Sequence, residues 1–226
     1  MSPEPIERLG QALAPHGLIC RVGFHPQADD DVPALADGTR AATLVMIGNA
    51  GPALWPAFTA SPEYRARQAH ALDAWTRRVV DGIAAACGAV ACYPFGGPPH
   101  LPFQRWAMRA DTVWVSPLQI LIHPEHGLWH AYRAALLFRD RLALPARAPR
   151  TRPCDTCAGR PCLTRCPVAA FTAASYDYAR CREHVGGAAG RACLMTGCLA
   201  RQVCPVGAAA RYTPAQAEWH MRGFTG

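Results

Sequence analysis

Eight of the eleven cysteines in this 226-residue chain fall in its last third, and their spacing constrains the fold more than any other feature. The run CDTCAGRPCLTRCP places Cys154, Cys157, Cys162 and Cys166 at intervals of two, four and three intervening residues, with Pro167 following. A second run repeats the first. Cys157, Cys162-Leu163 and Cys166-Pro167-Val168 correspond to Cys193, Cys198-Leu199 and Cys204-Pro205-Val206, with Cys181 standing where Cys154 stands. The N-terminal stretch MSPEPIERLGQALAPHG is polar and charged before any apolar run could form a secretory signal, and no segment approaches membrane-spanning length. A soluble, cytoplasmic protein is therefore expected. In that reducing compartment such a cysteine count reads as metal or redox chemistry rather than as a disulfide framework.

Thiolates at these spacings suit a 4Fe-4S cubane, which needs four of them at tetrahedral corners and amide groups turned towards sulfur. Structural zinc is the alternative, because Cys-x2-Cys is also a zinc-site element. A single cluster with the remaining thiols free is another. The two Cys-Pro endings and the repeat favour two clusters. The first run resembles that of the bacterial two-cluster ferredoxins, except that four residues rather than two separate Cys157 from Cys162. In those proteins the cysteine before proline ligates the other cluster. The resemblance thus implies one cluster on Cys154, Cys157, Cys162 and Cys204, and a second on Cys166, Cys181, Cys193 and Cys198. Cys20, Cys87 and Cys92 lie outside the pattern and are expected in the core.

The formal charge of +7 comes entirely from arginine, since lysine is absent. Two clusters, each on four thiolates, would bring it to about +3, so charge does not demand a nucleic-acid partner. No interleaved basic and aromatic motif of an RNA module is present either.

Residues 1–141 alternate between helical and strand patterns. Ser2 and Pro3 read as the cap and first position of a helix with Ile6, Leu9 and Leu13 on one face. Leu18 to Phe24 and Ala42 to Ile47 read as buried strands. Ser61 and Pro62 open a long helix towards Cys87, with Leu72, Trp75, Val79 and Ile83 on its buried side. Val90 to Tyr93 is another strand, and a short helix runs through Trp106. Leu118 to His123 and Leu128 to Leu137 read as two strands joined by a turn over Pro124, Glu125, His126 and Gly127. An α/β (α+β) domain over 1–141 follows, then a proline- and arginine-rich linker over 142–153, then a cysteine-organised domain over 154–226 that closes with a helix from Pro214 to Phe224.

The stretch LIHPEHGLWHAYRAALLF is similar to the signature of the vitamin B12 trafficking chaperones of the methylmalonic aciduria and homocystinuria type C family. Ile122, His123, Pro124, Gly127, Trp129, Ala131 and Arg133 match it. With Trp114 and Leu121 upstream, the segment also resembles epoxyqueuosine reductase and the corrinoid reductive dehalogenases. These families imply a nitroreductase-like α/β fold that binds cobalamin, followed in the reductases by a two-cluster ferredoxin module. Departures matter as well. Where epoxyqueuosine reductases carry an aspartate before proline as proton donor, this chain has Gly97, Pro98, Pro99 and His100, and Ser116-Pro117 replaces a Gly-Lys pair. Queuosine synthesis is accordingly not expected.

The resemblance implies a corrinoid as a further cofactor. Candidate contacts are Gly96, Gly97, Trp106, Trp114, His123 and Arg133, with Arg133 suited to an anionic group. His100 is the candidate acid, its other reading being a polar loop residue. The expected function is an iron–sulfur redox protein passing electrons through two 4Fe-4S clusters to cobalamin. Its expected partners are an electron-donor protein such as a ferredoxin or flavodoxin, and a small-molecule cofactor or substrate, with no nucleic acid and no membrane. A non-catalytic electron carrier and a cobalamin chaperone are the alternatives.

Overall fold

A computed structural model describes residues 5–147 and 149–225. The expected cap at Ser2 and Pro3 lies outside the described residues. In chain order the elements are α1 (Pro5–Leu13), β1 (Ile19–Phe24), β2 (Thr43–Ala50), α2 (Trp55–Thr59), α3 (Pro62–Arg65), α4 (Ala71–Ala86), β3 (Ala89–Cys92) and α5 (Phe103–Ala110). They continue with β4 (Trp114–Val115), β5 (Leu121–Ile122), β6 (His130–Phe138), α6 (Pro161–Thr164), α7 (Tyr178–Gly186), α8 (Arg191–Thr196), α9 (Leu199–Gln202) and α10 (Pro214–Thr225). Short 3-10 turns fill several of the gaps between them.

The chain divides into two compact units, residues 1–112 with 131–149, and residues 113–130 with 150–226. The first is a mixed α+β unit built on a four-stranded sheet in the order β1-β2-β6-β3. β2 is apolar on both faces and buried along nearly its whole length, as a central strand covered on each side must be. Gly48 is needed there, because a Cβ would meet the Ala131 carbonyl oxygen at 2.2 Å. Leu9 and Leu13 of α1 and Leu72, Trp75, Val79 and Val80 of α4 are buried at helical spacing.

The single long helix read from Ser61 to Cys87 is in fact two. Ser61 caps α3 by accepting a hydrogen bond from the Tyr64 N–H at 3.3 Å, but Arg67 and His70 then adopt left-handed backbone angles, which no helix can include. A second difference concerns the strands after residue 113. β5 pairs with β4 in its own two-stranded sheet, while β6 belongs to the large sheet, so the turn over Pro124 to Gly127 does not join two paired strands.

That second difference moves the expected boundary. Instead of belonging to a domain over 1–141, residues 113–130 group with the cysteine-rich stretch. Packing gives the reason. Leu118, Ile122 and Leu128 share an apolar cluster with Ala170, Phe171, Ala200 and Cys204, against which Trp114 and five more of the cysteines pack. The Arg201 guanidinium lies 4.2 Å from the Trp129 ring and 4.7 Å from the Tyr212 ring, and it donates to the Leu128 carbonyl at 2.5 Å. Gly127, in a left-handed conformation (φ +56°), lets the backbone of Val206 approach so closely that a Cβ would stand 1.9 Å from its carbonyl oxygen. The expected linker over 142–153 has no regular secondary structure where described. It is pinned, however: the Leu142 N–H donates to Thr43 Oγ1 at 2.9 Å and Arg152 donates to the Val115 carbonyl at 2.7 Å.

Candidate functional site

The eight cysteines of the repeat gather within the second unit around two cavities. One, of about 400 Å³, is lined by Cys154, Cys157, Cys162 and Cys204, with Leu118, Ile122 and Leu128 forming an apolar wall. The other, of about 300 Å³, is lined by Cys166, Cys181, Cys193 and Cys198, together with His184 and Met221. Short helices make this grouping. α6 follows Arg160, whose left-handed backbone turns the chain so that Cys162 comes back beside Cys157, whereas α9 separates Cys198 of the second group from Cys204 of the first. All eleven cysteines are free thiols.

N–H and O–H donors converge on these sulfurs. The Ala170 N–H donates to Cys166 Sγ at 3.3 Å. Cys162 receives the N–H of Leu163, Cys204 that of Val206, and Cys198 those of Ala200 and Arg201. The Tyr176 hydroxyl donates to Cys181. Burial pushes the Cys198 thiol up to about 11, and it raises Cys154, Cys162, Cys181 and Cys204 too, with neighbouring sulfurs adding to the rise. Crowded, half-buried thiols of this kind become thiolates when a cationic centre takes their protons' place.

The sulfur spacing bears on which centre fits. Four thiolates on one zinc ion, each about 2.3 Å from the metal, sit about 3.8 Å from one another. Four thiols with N–H donors turned towards them suit a cubane as well.

The candidate corrinoid contacts are divided between the two units. Gly96, Gly97, His100, Trp106 and Arg133 belong to the first unit, Trp114 and His123 to the second. Gly97 and His100 are exposed on the loop before α5. Trp106 is wholly buried and its indole N–H donates to the Asp30 carbonyl at 2.7 Å, so it is core and offers no face to a flat ligand. Arg133 turns its guanidinium towards Asp73, at 4.0 Å. Trp114 packs on the apolar cluster around the cysteines. Trp106 and Arg133 are thus engaged within the first unit and Trp114 within the second.

His123 has a local task. Its Nδ1 accepts the N–H groups of Glu125 at 3.1 Å and His126 at 3.2 Å, closing the turn, and its ring stacks on that of His126 with centroids 4.5 Å apart. With Glu125 the two histidines have the composition of a metal site. The tautomer argues otherwise: an Nδ1 that accepts two N–H bonds leaves the proton on Nε2, and stacked rings present faces rather than converging lone pairs. Cys20, Cys87 and Cys92 are half-buried, not fully in the core, and burial raises both Cys20 and Cys92 to about 11.

One feature of the first unit was not legible in the sequence. Arg21 and Asp111, both buried, form an ion pair at 2.5 Å, and the Tyr132 hydroxyl donates to the same carboxylate at 2.9 Å. Burial by itself would raise the Asp111 carboxyl, but the Arg21 charge, Tyr132 and the Thr112 N–H together hold it below the usual carboxylate range.

The class this defines is a mixed α+β unit joined to a unit organised around two groups of four cysteines. No family model matches the sequence, nor does any curated protein. Solved structures do. The C. elegans B12-trafficking protein CblC, a human MMACHC homologue, matches with a TM-score of 0.57 at 13% identity, over 97% of this chain and 91% of that one. The epoxyqueuosine reductase of Bacillus subtilis, solved with its catalytic loop swung out of the active site, matches with a TM-score of 0.53 at 15% identity, over 92% and 66%. An epoxyqueuosine reductase solved with a modified tRNA stem loop gives a TM-score of 0.49 at 15% identity, over 93% and 66%, too slight a likeness to argue from. The chain spans 66% of the length of each of these two reductases. At such identities the likeness is one of fold. No helix among the described residues is long and apolar enough to cross a membrane.

Proposed function

We propose that this chain is an iron–sulfur redox protein that carries one 4Fe-4S cluster on Cys154, Cys157, Cys162 and Cys204 and a second on Cys166, Cys181, Cys193 and Cys198. The observation that carries the reading is the gathering of eight free thiols into two groups of four, each supplied with N–H donors. Bound clusters would supply one-electron transfer at low potential. The chain's own part is to hold eight thiolates, to aim the Leu163, Ala170, Ala200 and Val206 amides at them, and to keep water from the first group with Leu118, Ile122 and Leu128. Replacing Cys162 with Ser tests the pairing. The expected result is the loss or conversion of one cluster, read by electron paramagnetic resonance, with the other signal retained; two unchanged clusters contradict it.

The acceptor we propose is a corrinoid, as in a corrinoid-dependent reductase or a corrinoid-reducing protein. The fold likeness to a B12-trafficking protein over nearly the whole of both chains supports this reading. Cob(II)alamin titrated into the anaerobic protein is expected to change its spectrum on binding. Absence of any change at high cobalamin leaves a plain electron carrier, docking to a partner enzyme, in its place.

A further inference from the structure

We propose that the exposed ring of Tyr178, with Arg182 beside it and Phe224 behind it, is the docking surface for a one-electron carrier protein with an acidic face, and that electrons enter at the cluster on Cys166, Cys181, Cys193 and Cys198. The inference rests on the iron–sulfur reading above and adds to it the place where the electron comes in. The carrier loses one electron and the cluster gains it, so no other reactant is needed.

Tyr178 opens α7 and is 49% exposed. Its ring meets that of Phe224 on α10 edge to face, with centroids 5.2 Å apart, so the phenol is held in place at the surface. Arg182 follows one turn later on the same flank, about 40° around the helix axis. Its guanidinium donates to the Thr225 carbonyl at 3.3 Å and has no carboxylate partner among the described residues. Of the two carboxylates on this stretch, Glu183 lies about 140° around from Tyr178, and Asp177 caps the helix by accepting the Arg180 N–H at 3.0 Å. A rigid amphipathic ring beside an arginine fork is the pairing that anchors protein interfaces.

This surface lies close over the second group of thiols. Cys181 stands three residues after Tyr178 on α7, about 5–6 Å away between Cβ atoms, and it lines the second cavity. Rings continue the contact inward: Tyr178 meets Tyr176 with centroids 6.3 Å apart, and Tyr176 stacks at 4.6 Å on Phe171, which also lines that cavity. The sign of the partner follows from the charges. Residues 113–130 and 150–226 hold ten arginines against five Asp and Glu, a formal +5 that two clusters on eight thiolates bring to about +1. Arg165, Arg180 and Arg191, exposed and equally without carboxylate partners among the described residues, flank Cys166, Cys181 and Cys193 and extend the positive field that steers an acidic partner. Such a surface suits carboxylates presented one or two at a time, each bound by an arginine fork. It is too weakly charged for a nucleic-acid backbone, whose binding rests on many phosphate contacts at once.

Stopped-flow mixing of the anaerobic, cluster-loaded full chain with a reduced acidic plant-type ferredoxin tests this, with photoreduced deazariboflavin as a small donor that needs no docking surface. Arg182→Glu should slow reduction by the ferredoxin about tenfold at low salt, an effect that shrinks as salt is added. Tyr178→Ala should slow it about tenfold at low and high salt alike, and Tyr178→Phe should stay near the wild type. Arg65→Glu, which changes the net charge equally on α3 of the first unit, should matter little. Reduction by deazariboflavin and the iron content should be the same in every variant. If the ferredoxin fails to reduce a wild-type protein that deazariboflavin reduces, or if Arg182→Glu and Tyr178→Ala keep the wild-type rate or slow both donors alike, the inference is overturned and the cluster reading stands. A tRNA stem loop that binds the wild type and is lost in Arg182→Glu would overturn it too, by making the patch a nucleic-acid surface. Protein without iron would remove the cluster reading, and the inference with it.

Discussion

In the first unit, a central strand is buried along seven of its eight residues and helices cover it with side chains at regular spacing; in the second, helices of four to nine residues are strung among the cysteines and a twelve-residue helix follows the last of them. Of the twelve largest wholly buried side chains, ten belong to the first unit and the other two, Trp129 and Ile122, to residues 113–130. The stretch 150–225 contributes none of them. A segment with so little apolar bulk needs another source of cohesion, as small domains with weak cores generally do. The contrast teaches that one chain can spend hydrophobic periodicity on one unit and ligand spacing on the other.

The largest effect should come from removing the proposed clusters. Chelation under anaerobic conditions is expected to abolish amide protection in α8 and α9 while β2 keeps its own, measured by hydrogen exchange with mass spectrometry. Equal loss in both regions would erase the contrast. Next in size is the buried pair of the first unit. Arg21→Leu leaves the Asp111 carboxylate buried without its counter-charge, which costs about 3–5 kcal/mol, and the denaturant midpoint of the first unit should fall accordingly. The double change Arg21→Leu with Asp111→Leu should recover part of that loss, and no recovery would mean that the pair is not the source.

The smallest effect concerns acid. Glu63 is held at about 2 by the hydrogen bond from Arg78 at 2.6 Å. Because this folded value lies below the unfolded carboxylate value of about 4.3, the contribution is complete above about pH 4.3 and fades as the pH falls towards about 2. Arg78 is half exposed, so the pair is worth about 1 kcal/mol or less. Glu63→Gln should flatten the acid limb of the stability curve of the first unit by that amount and leave stability at pH 7 lower; an unchanged acid limb would remove Glu63 from the account.

What could be read from the residues follows the same division. The eight ligand candidates are local in sequence and repeat, so spacing singles them out, whereas their division into two sets of four is what the resemblance to the two-cluster ferredoxins implies. The buried face of α4 was legible because Leu72, Trp75 and Val79 recur with the helical period. The break before α4 was not, since Arg67 and His70 carry no glycine or proline signal at the positions that turn left-handed. Nor was the Arg21–Asp111 pair, whose members stand 90 residues apart. The membership of residues 113–130 was misread for a related reason: their alternation of apolar residues says that one face is buried, but not against which unit. Trp106 was read as a ligand contact from its aromatic loop, and only the depth of burial reveals it as core.

The account depends most on what the two groups of thiols hold. Iron and acid-labile sulfide per chain, determined on protein purified without oxygen, measure it directly. About eight of each is the predicted result, whereas zinc with no sulfide, at one ion or two per chain, would contradict it.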